Sequence, residues 1–313
     1  MAQSAPRAAR GRLEGGVLGA SIHRRDAEIA EAAQRRHSWI SLRFLRVLCV
    51  SAVISLPLAA QTAELRLPLR SRVEAFKGSG EWNEVRFEQA FPIRQTAILI
   101  CDMWDRHWCS GATRRADALA SKMAPLIDQA RSHGIRIIHS PSETMDFYKD
   151  TPQRRRILEI APVPPPPNLA LSDPPLPIDD SDGGCDTPDK FYKAWTRQNP
   201  AIRITGDDVV SDKGTEIYSL LRQENIRNLL VMGVHTNMCV LNRTFAIKQM
   251  TRWGIRCVLV RDLTDSMYDP QDRPFVPHQQ GTELVVQHIE KYWCPSALSG
   301  DLVRALLSRS PAR

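Results

Sequence analysis

The sequence predicts an α/β fold: an open parallel sheet of about six strands with helices on both faces, in three layers. Three observations carry the prediction. First, Thr96–Asp102 (TAILICD) and Asn228–Gly233 (NLLVMG) are continuous apolar runs, as strands buried on both faces should be. Second, the segments after them place apolar residues at helical spacing and stop at glycines, Gly134 and Gly254. Third, strand-type and helix-type segments alternate from residue 96 onward, which argues for a parallel sheet covered by helices.

The elements read in order as follows. Residues 1–63 form a leader. Arg35, Arg36, Arg43 and Arg46 precede the apolar run Val47–Ala60, and the small residues of Ala59-Ala60-Gln61-Thr62-Ala63 follow. A basic region, a short apolar stretch and a small-residue cleavage site make an export signal over 42–63, too short to span a bilayer comfortably. The expected location is periplasmic or secreted rather than cytoplasmic, with no stable membrane span after cleavage. The stretch ahead is longer than such a basic region usually is. A true start near Ile40–Leu42 is therefore expected, with residues 1–36 a misannotated extension. Residues 64–95 read as an N-terminal β-extension with two extended segments, Leu65–Val73 and Trp82–Phe87.

The α/β domain proper is expected over 96–313. After the strand at Thr96–Asp102 come a helix at Ala116–His133, a strand at Ile135–His139 and a basic helix at Asp150–Ile160. A weak third strand is expected at Ile202–Ile204, then a helix at Gly214–Glu224 and the strand Asn228–Gly233. A helix at Cys239–Trp253, a strand at Cys257–Arg261 and a helix at Gly281–Tyr292 complete the set. Residues 162–188 break the rhythm with nine prolines plus Gly183-Gly184, which excludes helix and central strand there. A Pro-rich loop loses less entropy when ordered, which suits either a fixed pocket wall or a surface insertion.

Charge removes one class of function. The net charge is +7, but residues 1–60 hold nine Arg, no Lys and four acids. The remaining residues carry 33 basic and 31 acidic side chains, so the body is nearly neutral and nucleic acid is not an expected partner. A small-molecule substrate is expected, with a homo-oligomer left open. Neither a P-loop nor a dinucleotide glycine fingerprint occurs, so no cofactor is expected.

In parallel α/β sheets, ligands bind beyond the carboxyl ends of the strands. Reactive side chains emerge there in DMWDRHWC after the first strand, VHTNMCV after the fourth and RDLTDSMYDP at the fifth. Cys239 follows a five-residue turn at the start of an expected helix, whose free N–H groups and dipole would favour a thiolate. Asp102, from a neighbouring strand end, is placed to act as general base. For either residue alone, a buried small side chain or a loop-capping carboxylate is the simpler account; their joint placement favours a site. Trp104, His107 and Trp108 are candidate walls of a substrate pocket. Arg243, one turn after Cys239, is a candidate for binding a substrate carboxylate, or for pairing with Asp262 or Asp265.

GVHTNMCV, with Asp102 ending the first strand, resembles the isochorismatase-like cysteine hydrolase superfamily over roughly Thr96 to Trp293. DMWDRHWC, GVHTNMCVLNRTFAIKQM and RDLTDSMYDP together resemble a secreted bacterial branch of it without a defined substrate. The resemblance implies a Rossmann-type sandwich with a six-stranded parallel sheet and an Asp-Lys-Cys triad. Cys239 would be the nucleophile and Asp102 the base. A cis peptide between Val234 and His235 would turn the His235 and Cys239 amides into an oxyanion hole. It implies a hydrolase acting on C–N bonds other than peptide bonds, an amide or carbamoyl group above all. The alternative is a catalytically altered or inactive binding protein of the same fold.

The departure lies in the lysine. The family places it about 33–39 residues before the cysteine, and here that window, Pro200–Gly206, contains none. Lys193, Arg197 and Lys213 are the nearest cations, and Arg197 is the expected source of positive charge beside Asp102. Arg197 could orient or stabilise but not relay a proton. The metal pair of nicotinamidases is not reproduced at His139-Ser140-Pro141-Ser142-Glu143, so no metal is expected, although His107, His139 and His235 could converge. No CxxC occurs. Cys101 and Cys257 read as buried core residues, and Cys109 is the candidate partner for Cys239 in a redox reading.

Overall fold

The computed structural model describes residues 63–308. The leader, its export signal and the alternative start lie outside the described residues.

The chain builds one eight-stranded sheet in the order β2-β1-β8-β7-β6-β3-β4-β5. Its strands are β1 (Glu64–Glu74), β2 (Trp82–Pro92), β3 (Thr96–Cys101), β4 (Arg136–Ser140), β5 (Val209–Val210), β6 (Asn228–Val234), β7 (Arg256–Asp265) and β8 (Ser296–Ala297). Six of them, β8 to β5 in that order, are parallel. The expectation of about six strands is corrected to eight, because the N-terminal β-extension continues the same sheet. β1 and β2 form an antiparallel hairpin, and β1 adds to the edge at β8.

Alternation along the central strands splits the core into two layers, as a pleated strand requires. Ala97, Leu99, Cys101, Leu229 and Val231 pack with helices Gly214–Gln223, Ile247–Arg252 and His278–Tyr292. Ile98, Ile100, Leu230 and Met232 pack with the long helix Ser110–Ser132 and with Ser299–Leu307. Cys101 and Cys257 are free, buried core residues, as expected. Among the described residues no helix is long and apolar enough to cross a membrane.

Two expected elements fall differently. The third strand is Val209–Val210, not Ile202–Ile204. Val209 and Val210 pair with Ile138 and His139, whereas Ile202 is buried without strand pairing. The helix expected over Cys239–Trp253 is two short pieces, Cys239–Asn242 and Ile247–Arg252. The break begins at Arg243, whose backbone leaves the helix at φ −59°, ψ 151°. Thr244 beyond it packs on Gly214, where an added Cβ would lie 2.0 Å from the Thr244 carbonyl.

β3 and β6 are adjacent, yet the chain leaves β3 toward β4 on one side and β6 toward β7 on the other. This is the topological switch point at which open α/β sheets form a crevice. Gly233 makes the approach there close: its φ is +127°, and a Cβ would meet the Cys101 carbonyl oxygen at 2.0 Å. Asp102 and Cys239 follow the two strands that meet at this point.

Candidate active site

Asp102 follows β3 directly, in the left-handed backbone region (φ 46°), and its side chain is fully buried. One carboxylate oxygen, Oδ1, accepts the Ser142 amide at 2.7 Å from the turn after β4. The other, Oδ2, accepts Arg243 Nε at 3.1 Å, and the Cys239 thiol is near enough to influence the carboxylate. Burial pushes the Asp102 carboxyl above its ordinary value; Arg243, Cys239 and Ser142 oppose the rise without cancelling it.

Cys239 is half-buried at the turn following β6. Burial, then the Asp102 charge, push its thiol well up, while Arg243 and the backbone amide of His235 pull the other way. The helix it begins has four residues, too short to supply the dipole expected from sequence. The groups that favour a thiolate here are therefore the guanidinium and the His235 N–H. The Val234–His235 peptide is cis.

Arg243 is the cation beside Asp102, not Arg197. Burial would lower the guanidinium, but Asp102, Cys239 and Glu143 outweigh it and raise it. Its Nη2 reaches Glu143 Oε1 at 3.2 Å, so one fork spans two carboxylates. Arg197 lies elsewhere: its guanidinium sits over the Phe147 ring at 5.5 Å, and its backbone is held by Asp105. The other partners expected for Arg243 are occupied. Asp262 accepts from Ser299, and Asp265 pairs with Arg115 and His278.

A cavity of about 500 Å³ opens against Cys239, walled by Leu176, Asp180, Asn237, Met238 and Arg243. The expected walls Trp104, His107 and Trp108 do not line it, because they stack among themselves. Trp104 and His107 lie nearly parallel to Trp195, at 4.6 and 5.8 Å between ring centres, and Trp108 meets Phe191 edge-on. Trp104 Nε1 donates to the Ser142 carbonyl, so the stack braces the turn whose amide holds Asp102. His107 also meets His235 edge-on. Burial, then Arg115, lowers His107 to about 4; burial, then His107, lowers His235 to about 3. A second cavity, about 510 Å³, lies away from this chemistry, beside the starts of β3 and β4; its Arg131 and Arg136 are already paired to Asp208 and Glu224.

The three histidines do not converge. His139 is buried between Gln198 and Asp208, apart from the His107–His235 contact. Among the described residues one group has metal-ligand geometry, Cys109, Cys185 and Asp189. Cys109 and Cys185 are joined in a disulfide with a Cα–Cα distance of 5.8 Å, which removes both sulfurs as ligands. It also removes Cys109 as a redox partner for Cys239. The bond ties the Pro-rich loop to the N-terminus of helix Ser110–Ser132.

Sequence reasoning missed Ser142, Glu143 and Asp180. Ser142 acts through a backbone amide, which any residue supplies. Glu143 and Asp180 stand in loops whose course no local pattern fixes.

No protein-family model matches the chain, and no curated protein matches it. Solved structures do align with it. A cysteine hydrolase from Pseudomonas syringae pv. phaseolicola 1448A is 16% identical, covering 69% of this chain and 93% of that one, with a TM-score of 0.45. An isochorismatase family protein from Desulfovibrio vulgaris subsp. vulgaris str. Hildenborough is 17% identical, covering 69% and 100%, with a TM-score of 0.41. A nicotinamidase from Staphylococcus aureus is 11% identical, covering 63% and 94%, with a TM-score of 0.31.

Proposed function

We propose that the protein is a cysteine hydrolase that cleaves a small amide or carbamoyl C–N bond. One observation carries the reading: Arg243 is hydrogen-bonded to Asp102 at the switch point of the sheet, and Cys239, which feels both charges, shares with Arg243 the wall of a cavity of small-molecule size.

In this mechanism Asp102 accepts the Cys239 proton as the sulfur attacks the carbonyl carbon. The thiol is raised by its surroundings, so proton transfer to Asp102 and attack are coupled. Negative charge develops on the carbonyl oxygen, and the His235 amide, which lowers the Cys239 thiol and so lies close to it, receives that charge. The protonated Asp102 then delivers its proton to the departing nitrogen, and ammonia or an amine leaves. Water, deprotonated by the same carboxylate, attacks the acyl-enzyme and frees the acid or carbamate. Arg243 takes the place of the lysine expected from the resemblance. Its guanidinium stays protonated throughout, so it stabilises the carboxylate and the sulfur without relaying a proton.

Export belongs to the same proposal. The Cys109–Cys185 disulfide supports it, because such bonds persist in oxidising compartments and are rare in the cytosol. The mature N-terminus of the native protein tests it: a start upstream of Leu45 defeats export.

The hydrolase reading is tested by presenting a panel of small amides and carbamoyl compounds to the wild type and to Cys239→Ala. Release of ammonia or amine by the wild type alone is the expected result. Equal turnover by both defeats the mechanism, and turnover by neither favours a binding protein that keeps the pocket.

A further inference from the structure

Asp180 is a carboxylate in the wall of the Cys239 cavity for which the mechanism has no use. It is fixed in place. Its Oδ2 accepts Asn237 Nδ2 at 2.7 Å, and Asn237 is 1% exposed. Asn237 is in turn locked, donating to the Met267 carbonyl and accepting the Met267 amide, each at 2.9 Å. The loop that carries Asp180 is anchored on either side. Ile178 is buried in the core, the Asp179 amide donates to the Arg273 carbonyl, and Cys185 is bonded to Cys109. At Gly184, φ is +63° and a Cβ would meet the Met267 carbonyl at 2.4 Å, so the loop lies directly on the strand-end segment that holds Asn237.

The charge at this wall is uncompensated. Among the described residues no Arg, Lys or His forms an ion pair with Asp180, and its Oδ1 has no protein donor. The cation that shares the cavity, Arg243, is committed to Asp102 and Glu143. The neighbourhood is mainly acidic: burial, then Asp182, Asp269 and Asp179, raises the Asp272 carboxyl, and Arg273 acts on Asp179 beside it without forming an ion pair with Asp180. A held carboxylate with one oxygen free of protein donors, in the wall of a cavity that also holds a nucleophile, recognises a cation by a charge-assisted hydrogen bond.

We propose that Asp180 makes the site select substrates carrying an ammonium or guanidinium group close to the scissile C–N bond. The substrate class is then a small cationic amide or carbamoyl compound. This rests on the hydrolase reading and narrows it.

Cationic selection can be measured without turnover. Cys239 is alkylated with 2-bromoethylammonium, iodoacetamide and iodoacetate, which are cationic, neutral and anionic. Each rate is read from the mass of the Cys239 peptide and divided by that reagent's rate with glutathione. The wild type is expected to favour the cationic reagent over the neutral one by about 10- to 100-fold, the range of a charge-assisted bond. Asp180→Asn should remove most of that preference and Asp180→Glu should restore much of it. In the wild type, added salt should weaken the preference; that measurement stands if Asp180→Asn does not fold. The same ratio in Asp180→Asn as in the wild type, a wild-type preference for iodoacetate, or a ratio indifferent to salt overturns the proposal. If the cationic preference holds and no amide is turned over, cationic selection stands and the hydrolase reading falls. If amides are turned over but charged and neutral members of equal size react alike, the reverse follows.

Discussion

Replacing Arg243 with Gln tests whether the guanidinium does the work expected of a triad cation. The Nε–Oδ2 contact is 3.1 Å; Asp102 is fully buried and the Arg243 side chain is 31% exposed. Unit charges about 4 Å apart at an effective dielectric of about 20 interact by about 4 kcal/mol. Solvent at the guanidinium screens part of this, and a hydrogen bond to a charged group contributes about 1.5–3 kcal/mol net. That range corresponds to a rate about 10- to 150-fold lower. The pH dependence is the sharper signature. After burial, Arg243 is the largest influence on the Asp102 carboxyl and the strongest that lowers it. Without the guanidinium the carboxyl rises further, and the base works only when deprotonated. The acidic limb of the profile therefore moves to higher pH, and the deficit is widest at low pH and narrows as pH rises. The assay is the rate of Cys239 alkylation by iodoacetamide across about pH 5–9, a span that starts above the ordinary carboxyl value. Arg243→Lys keeps a point charge but not the fork to Glu143, so partial recovery is expected. A Gln variant whose profile superimposes on the wild type refutes the assignment.

Further outcomes follow from other parts of the fold. Reducing the Cys109–Cys185 bond, which closes a loop at a sequence separation of 76, should lower stability by about 2–4 kcal/mol, read as a drop in Tm with reductant, and should open residues 162–188 to proteolysis. An unchanged Tm and cleavage pattern would show that the loop is held by its packing alone. Gly233→Ala places a methyl group against the Cys101 carbonyl and should abolish soluble expression or Cys239 alkylation; a variant with wild-type Tm and reactivity contradicts the close approach of β3 and β6. Acid should destabilise the protein through His107 and His235. Their folded values, about 4 and about 3, lie below the unfolded value of about 6.5. Between those limits the unfolded chain binds protons that the folded chain does not, so stability falls as pH drops from about 6.5 toward about 3. Denaturant titrations at several pH values should show this slope, and His235→Gln should flatten it; an equal slope in the variant removes His235 as its cause.

What the sequence disclosed follows from how local each signal is. β3, β6 and β7 were readable because strands buried on both faces are written as contiguous apolar runs, and Gly134 and Gly254 mark where helices end. The rule for strand ends at a switch point then brought Asp102 and Cys239 together without any long-range information. β5 is invisible in the sequence because two paired residues leave no apolar run. The apolar spacing over 239–253 is helical and hides the break, which serves Arg243, whose partner Asp102 lies 141 residues earlier.

The resemblance puts a lysine at the end of the neighbouring strand, and proximity in sequence then points to Arg197. A physical criterion points elsewhere. A buried carboxylate needs a donor from the elements that touch it, and the end of β3 is flanked by the turns after β4 and β6 alone. The first turn supplies the Ser142 amide, and the second supplies Arg243, one helical turn beyond the sulfur. An arginine in that position is set by the nucleophile's own segment rather than by a separate strand. The cation and the cysteine therefore move as one unit, and a shift of the turn after β6 disturbs both partners of Asp102 together.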